Sequence, residues 1–149
     1  MYTRILMPTD RSAMAEQALP HAVAQAEKLG AELILLRVLE PFEQVRGLSA
    51  AQLDRIKQFT LEKAQTYLDD LVKTIECEGV KVSAAIVEGR PHAGILQYAE
   101  ANQVDLIVLC TRGRSGFSRW LMGSVADRVV RGAKVPVLLV RATQEEPGA

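Results

Sequence analysis

The stretch from Leu106 to Val140 reads LIVLCTRGRSGFSRWLMGSVADRVVRGAKVPVLLV, and its pattern decides the fold. A short apolar run, Leu106 to Leu109, is followed by a loop rich in Gly, Ser and Arg that extends from Cys110 to Gly123. A helical pattern from Ser124 to Arg131 precedes a second apolar run, Val135 to Val140. Short runs of Ile, Leu and Val are typical of parallel strands that are buried on both faces. The stretch therefore predicts a strand, a loop, a helix and a strand.

The same alternation of apolar runs and helical spacing continues toward the N-terminus. Pro20 lies inside the first helical pattern, so it either kinks that helix or moves its start to a later residue. Ser49 and Gln52 form a capping box at the start of a long helix. The further strands predicted are Ile5–Pro8, Leu33–Leu39 and Val80–Val87. The further helices are Ala15–Leu29, the long helix that follows the capping box and reaches Cys77, and Ala93–Asn102. Strict alternation predicts an α/β fold: a three-layer, doubly wound, five-stranded parallel sheet of the Rossmann-like type.

Length and composition predict one domain whose net charge does not favour binding to polyanions. The chain has 149 residues, and we expect a single domain over residues 1–141 with a disordered tail over residues 142–149. Lys and Arg total 18, as do Asp and Glu, and this balance argues against general binding to nucleic acid or anionic membranes. Apolar runs are far shorter than the ~20 residues of a membrane span, so we expect a cytoplasmic protein.

The cysteines and histidines do not form a recognisable metal or catalytic motif. Cys77 and Cys110 are too few for a disulfide scaffold or a zinc site. His21 and His92 are far apart in the sequence and indicate neither a metal site nor a catalytic triad. Cys110 has no His or Lys near it in sequence, so a packed cysteine is favoured over a reactive thiol.

Two segments that follow predicted strands have the residue types of a nucleotide site. In doubly wound sheets, ligands bind at the carboxyl ends of the strands, where the strand order reverses. Gly123 and Ser124 begin a helix, whose first amides and dipole favour a phosphate. Asp10 supplies a carboxylate suited to a ribose hydroxyl or a metal ion. The intervening loop adds positive charge from Arg112, Arg114 and Arg119.

The spacing of this loop resembles that of the universal stress protein family. It is neither a Walker A loop nor a dinucleotide Gly-x-Gly-x-x-Gly motif. ATP-binding members of the family carry Gly-x2-Gly-x9-Gly-Ser/Thr after the fourth strand, and here the positions read Cys110-x2-Gly113-x9-Gly123-Ser124. The resemblance extends from Ile5 to Val140. It implies the strand order 3-2-1-4-5, a bound ATP with Mg²⁺, slow or no hydrolysis, and a regulatory role in the stress response.

The resemblance also implies the site residues and an assembly. Pro8, Thr9 and Asp10 would lie along adenosine and ribose, and the backbone of Val38 would meet the adenine edge. Cys110, Arg112 and Gly113 would pass the ribose and first phosphates, and the phosphate tail would be held by Gly123, Ser124, Val125 and Ala126. Pro136 suits an edge strand, and family members pair this last strand, here Val135 to Val140, to form a homodimer. The alternative is that the C-terminal tail covers this edge.

Each of these residues also has a simpler interpretation. Ser124 with Asp127 forms a capping box of its own, and Asp10 could be a turn acceptor before the helix that follows Ser12. The arginines could be solvated surface charges. Cys110 replaces the first glycine of the family motif, so its side chain could narrow the cleft, or its backbone could be strained if φ must be positive.

These interpretations leave two alternative functions. If Cys110 blocks the cleft, the protein is a dimeric interaction module that needs no nucleotide. An enzyme of the related adenine nucleotide α-hydrolase group is a third possibility, but the chain carries neither a His-x-Gly-His nor a Ser-Gly-Gly-x-Asp-Ser segment.

Overall fold

A single sheet of five parallel strands forms the centre of the molecule. The structure is a computed structural model, and it describes residues 1–41, 47–111 and 123–143. The strands are β1 (Arg4–Pro8), β2 (Glu32–Leu39), β3 (Val82–Glu88), β4 (Leu106–Thr111) and β5 (Val137–Arg141). Their order in the sheet is β3-β2-β1-β4-β5, as the resemblance implies.

Helices cover both faces of this sheet and complete the predicted three-layer, doubly wound α/β architecture. They are α1 (Ala13–Glu16), α2 (Leu19–Leu29), α3 (Ala50–Glu76), α4 (Pro91–Ala101) and α5 (Ser124–Gly132). Helices α2 and α3 pack on one face, and α4 and α5 pack on the other. In the described ranges, no helix combines the length and hydrophobicity needed to cross a bilayer.

Alternate side chains of the central strand enter two different cores, which explains why the strands lack a polar face. Ile5 and Met7 join the core beneath α2 and α3, whereas Leu6 joins the core beneath α4 and α5. All three side chains are fully buried. Successive strand residues point to opposite faces of a sheet, so a strand covered on both sides must be apolar throughout.

The helix ends follow the local signals in the sequence. The first helical pattern forms two helices rather than one, since α1 ends at Glu16 and α2 begins at Leu19. Pro20 lies in the first turn of α2, where the N–H that proline lacks would have no hydrogen-bond partner within the helix. Gly30 ends α2 with a left-handed φ of 63°. Ser49 and Gln52 form the predicted capping box of α3, which begins at Ala50.

Several predicted boundaries are wrong by two or more residues. Strand β4 continues to Thr111, so Cys110 lies in a strand rather than in the following loop. Strand β5 begins at Val137, and Pro136 precedes it, although the Pro136 carbonyl still accepts a hydrogen bond from Ile107 N at 3.0 Å. Strand β3 begins at Val82 rather than Val80, and α4 begins at Pro91 rather than Ala93.

The packed part of the chain extends beyond the predicted domain boundary at residue 141. Ala142 is buried, and its N–H donates to the Thr111 carbonyl at 3.1 Å. Thr143 N donates to Gln17 Oε1 at 2.7 Å, and Gln17 Nε2 donates to the Thr143 carbonyl at 2.8 Å. These two residues therefore belong with the domain. The rest of the predicted tail, 144–149, lies outside the described residues.

Candidate functional site

A cleft of about 220 Å³ opens at the carboxyl ends of β1, β2 and β4. Strand β1 lies between β2 and β4, so the chain leaves it in one direction to form β2 and later returns on its other side to form β4. This is the reversal in strand order at which doubly wound folds bind ligands. All predicted site residues that the structure describes line the cleft, namely Pro8, Thr9, Asp10, Val38, Cys110, Gly123, Ser124, Val125 and Ala126. Arg112 and Gly113 lie outside the described residues, as do Arg114 and Arg119.

The segment after β1 places an ionised carboxylate on the cleft wall. Thr9 is buried, and its N–H donates to the Leu36 carbonyl at 2.9 Å. Asp10 Oδ1 accepts a hydrogen bond from Ser12 N at 2.9 Å. Burial raises the pKa of Asp10, but hydrogen bonds from Ser12 and the positive charge of Arg37 outweigh it and lower the pKa overall. The predicted turn role of Asp10 is therefore present, and the carboxylate that makes this turn also lines the cleft.

Helix α5 begins at the cleft with a glycine. Its N-cap is Gly123, with φ 84° and ψ 146°, and no side chain among the described residues makes a capping hydrogen bond there. Ser124 is the first helical residue, so the interpretation of Ser124 and Asp127 as a capping box is wrong. The Gly123 carbonyl accepts from Asp127 N at 3.0 Å, which starts the helical ladder. The amides of Ser124, Val125 and Ala126 precede that ladder and carry the positive end of the helix dipole.

Cys110 occupies its position without backbone strain. It lies in β4 opposite Val140 of β5, and it is not among the described residues with positive φ. Its side chain packs against the core beneath α2 and α3. Burial raises the pKa of the thiol, so the neutral form dominates near neutral pH. This matches the interpretation as a packed cysteine, and the interpretation that requires positive φ is wrong.

Sequence reasoning missed the cleft residues contributed by two helices. Met14 and Ala15 come from α1, which was not predicted as a separate helix. Pro91 and Ile95 come from the first turns of α4. A Cβ at Gly94 would lie 2.8 Å from Val38 Cγ1, so this glycine lets α4 approach β2 beside the cleft. The turn at Gly89 ends β3 at the same edge of the sheet, and that signal could have drawn attention to Pro91.

The histidines remain apart from this cleft. His21 lies on α2 and His92 on α4, on opposite faces of the sheet. Within residues 1–41, 47–111 and 123–143, no three His, Cys, Asp or Glu side chains come together as a metal site.

The strand order, the position of the cleft and the glycine start of α5 together define a doubly wound α/β domain with a ligand cleft where the strand order reverses. Residues 1–141 match the Universal stress protein family. The chain belongs to this family. Universal stress protein MJ0531 of Methanocaldococcus jannaschii is 34% identical over 146 residues, which cover 98% of this chain and 86% of that protein.

Solved structures agree with this assignment. Protein MJ0577 of Methanocaldococcus jannaschii superposes with a TM-score of 0.80 at 33% identity, covering 97% of this chain and 99% of the other. UspA of Lactobacillus plantarum superposes with a TM-score of 0.81 at 27% identity, covering 94% and 98%.

Two more distant structures share the fold at 22% identity. One is a universal stress protein in complex with cAMP, with a TM-score of 0.72 over 95% of this chain and 98% of the other. The other is a universal stress protein of Archaeoglobus fulgidus in complex with dAMP, with a TM-score of 0.65 over 93% and 97%.

Proposed function

We propose that this protein binds ATP with Mg²⁺ in the strand-end cleft and uses the bound nucleotide as a regulatory ligand in the stress response. The observation that carries the proposal is the start of α5 at Gly123, whose first amides line the same cleft as Asp10 and Val38 and have no capping side chain among the described residues. Unsatisfied amides and a helix dipole attract phosphate, while a carboxylate across the cleft suits a ribose hydroxyl. Two universal stress proteins of this fold hold adenine nucleotides, which supports the same ligand class here.

Each wall of the cleft receives a part of the nucleotide in this proposal. Pro8, Thr9 and Asp10 lie along adenosine and ribose, and the backbone of Val38 meets the adenine edge. Amides of residues 123–126 and the Ser124 hydroxyl hold the phosphates. Arg112 and Gly113, which lie outside the described residues, pass the ribose and first phosphates. Mg²⁺ enters with those phosphates, because it is usually held by phosphate oxygens, waters and one or two carboxylates.

Regulation fits the chemistry of the cleft better than rapid turnover. Fast phosphoryl transfer needs a residue that activates or orients the nucleophile. Asp10 is the acidic side chain among the described cleft residues, and it already accepts a hydrogen bond within its turn. We therefore propose slow or no hydrolysis. We also propose a cytoplasmic location, which suits Cys77 and Cys110, both of which are free thiols.

A calorimetric titration with Mg-ATP tests the nucleotide proposal. We expect wild-type protein, freed of copurified nucleotide, to bind with micromolar affinity. Gly123→Val should lose that binding, because a branched side chain enters the amide cradle at a left-handed φ.

Gly79→Val is the matched control for backbone strain. Gly79 has the same φ of 84°, a Cβ there would meet no atom within 4 Å, and it does not line the cleft. It should lose stability as Gly123→Val does and keep its affinity for Mg-ATP. Absence of heat with the wild-type protein would contradict ATP binding and favour the nucleotide-independent interaction module.

The second part of the proposal is a homodimer formed through β5. Strand β5 pairs with β4 on one side and is the last strand of the sheet. The Pro136 carbonyl accepts from β4 and Ala142 N donates to it, so in a parallel ladder the alternate residues 137, 139 and 141 direct their backbone groups away from β4. An apolar edge whose backbone groups have no partner in the described part of the chain favours pairing with a second copy.

A further inference from the structure

A second cleft lies beside the nucleotide cleft, between the segment after β1 and helix α3. It encloses about 380 Å³, and its described lining consists of residues 10–12, Arg37 and residues 59, 60, 63, 64 and 67. Asp10 and Arg37 line both clefts. Since Val38 packs toward α4 and α5, the preceding side chain, Arg37, points to the opposite face, toward α3. The two clefts are therefore separate spaces that share a wall.

This second cleft concentrates positive charge in a chain whose formal net charge is zero. Arg11, Arg37 and Lys63 line it, against the single carboxylate of Asp10. The ion pairs found among the described residues involve Arg4, Lys57, Arg131 and Lys134, and none engages the three cleft cations. The Glu16 carboxylate beside the cleft accepts a hydrogen bond from the Tyr67 hydroxyl. The local charge therefore favours an anion.

Aromatic rings hold two of the cations and leave their N–H donors available. The Arg11 guanidinium carbon lies 6.0 Å from the centroid of the Tyr67 ring, and Lys63 Nζ lies 4.7 Å from that of Phe59. Cation–π contacts use the face of the ring and do not consume hydrogen-bond donors. Arg11 reaches this position with a left-handed φ of 72°, a conformation that costs free energy in a residue other than glycine.

Arg37 supplies an unsatisfied donor. Its Nε is inaccessible to solvent and has no hydrogen-bond partner among the described residues. A buried donor without a partner is unfavourable, and a guanidinium can satisfy two donors at once on one carboxylate or phosphate group. Since Nε itself lies out of reach of solvent, the terminal nitrogens of this guanidinium are the donors that would meet an oxyanion in the cleft.

We propose that this basic cleft binds a small organic anion, that is, a phosphate or carboxylate group on an apolar body. The anionic group is held by Arg37 with Arg11 and Lys63. The apolar body packs on Phe59, which is 57% exposed, and on Ala64. Binding here needs no nucleotide in the neighbouring cleft, so the proposal stands or fails independently of ATP binding.

The test is an NMR titration of the ¹⁵N-labelled full chain with phenyl phosphate, run beside inorganic phosphate and sodium chloride at equal ionic strength. We expect saturable shifts of the Ser12, Lys63 and Ala64 amides with phenyl phosphate and weaker binding of inorganic phosphate. The amides of Val125 and Ala126 report on the nucleotide cleft in the same spectra. Shifts confined to those two amides, or equal to those produced by sodium chloride, would overturn the proposal.

Charge-removing variants locate the site. Arg37→Gln should weaken phenyl phosphate binding about tenfold, the usual effect of losing one charged hydrogen bond. Lys63→Gln, on the exposed side of α3, should weaken it several-fold and remains informative if Arg37→Gln does not fold. Lys73→Gln removes the same charge from the last turn of α3 and should have no effect. Equal affinity in Lys63→Gln and wild-type protein would contradict the proposal, and equally tight binding of inorganic phosphate would show that no apolar body is recognised.

Discussion

Gln103 is one of two described residues other than glycine with a left-handed backbone. Its φ is 56°, and it directly follows Asn102, the C-cap of α4. Glycine adopts this conformation without the steric cost that a Cβ brings. We expect Gln103→Gly to raise the free energy of unfolding by about 1 kcal/mol, measured by urea denaturation.

The same substitution elsewhere in α4 provides the control for this prediction. Gln97 is an exposed residue in the interior of the helix. Gln97→Gly should lower the free energy of unfolding by roughly 0.5–1 kcal/mol, because glycine loses more conformational freedom in a helix. If both variants change stability in the same direction, backbone strain at Gln103 is not the cause.

At the scale of single residues, sequence patterns predicted which residues lie together better than they predicted the conformation of each residue. Asp10 and Gly123, which were selected because they follow predicted strands, line one cleft. The capping pattern of Ser124 and Asp127 was misleading, because a capping box needs Ser at the N-cap and the chain turns at Gly123 instead. The conformation of Cys110 depends on how far β4 extends, which a four-residue apolar run does not determine.

At the scale of elements, a carboxylate joins the beginnings of two neighbouring strands. Asp105, just before β4, accepts hydrogen bonds from Thr3 N and Thr3 Oγ1 at 2.9 Å and from Arg4 N at 3.0 Å. Burial raises the pKa of Asp105, but these hydrogen bonds outweigh it and lower the pKa below its ordinary value of 3.8. A carboxyl with a lowered pKa in the folded state stabilises the fold above the unfolded pKa and loses that contribution as pH falls through the folded pKa.

We therefore expect the free energy of unfolding to decrease as pH falls below about 4. Asp105→Asn should be less stable than the wild type at pH 7, and the difference should narrow as pH falls through the lowered pKa of Asp105, where the wild-type carboxyl takes up a proton. Urea denaturation at a series of pH values measures this. Asp70→Asn, which changes an exposed carboxylate on α3, should show no such convergence. A difference at Asp105 that stays constant with pH would show that its charge is unimportant.

Whether a segment is a helix or a strand was predictable, because this depends on the spacing of apolar residues within the segment. Several boundaries were not, because they depend on the neighbouring strand with which the segment pairs. Strand β3 begins where its ladder with β2 begins, at the pairing of Leu33 with Val82. Strand β5 begins after Pro136, because proline lacks the N–H that a ladder needs. The division between α1 and α2 follows from Pro20, for which the sequence left two outcomes open.

At the scale of the whole molecule, the proposed dimer depends on backbone groups of the last strand. Leu139 directs its N–H away from β4 in the parallel ladder, so Leu139→Pro removes a donor that has no partner among the described residues and that the proposed dimer would use. By sedimentation equilibrium we expect the wild type to be a dimer and this variant to be a folded monomer.

A second change at the same position separates the backbone from the side chain. Leu139→Ala also removes the leucine side chain, as Leu139→Pro does, but it retains the backbone N–H. It should therefore remain dimeric. A dimer that persists in Leu139→Pro, with an unchanged circular dichroism spectrum, would contradict pairing through β5.

The central position of β1 has a consequence for the order in which the protein is made. Its residues Ile5 and Leu6 pair with Leu106 and Ile107 of β4, about a hundred residues later in the chain. At a synthesis rate of roughly 5–20 residues per second, the ribosome produces β1 some 5–20 seconds before β4. During that interval one edge of β1, whose residues Ile5 to Met7 are fully buried in the finished fold, lacks its neighbour. A nascent chain of this protein is therefore most exposed to aggregation, and most in need of a chaperone, while α3, β3 and α4 are being made.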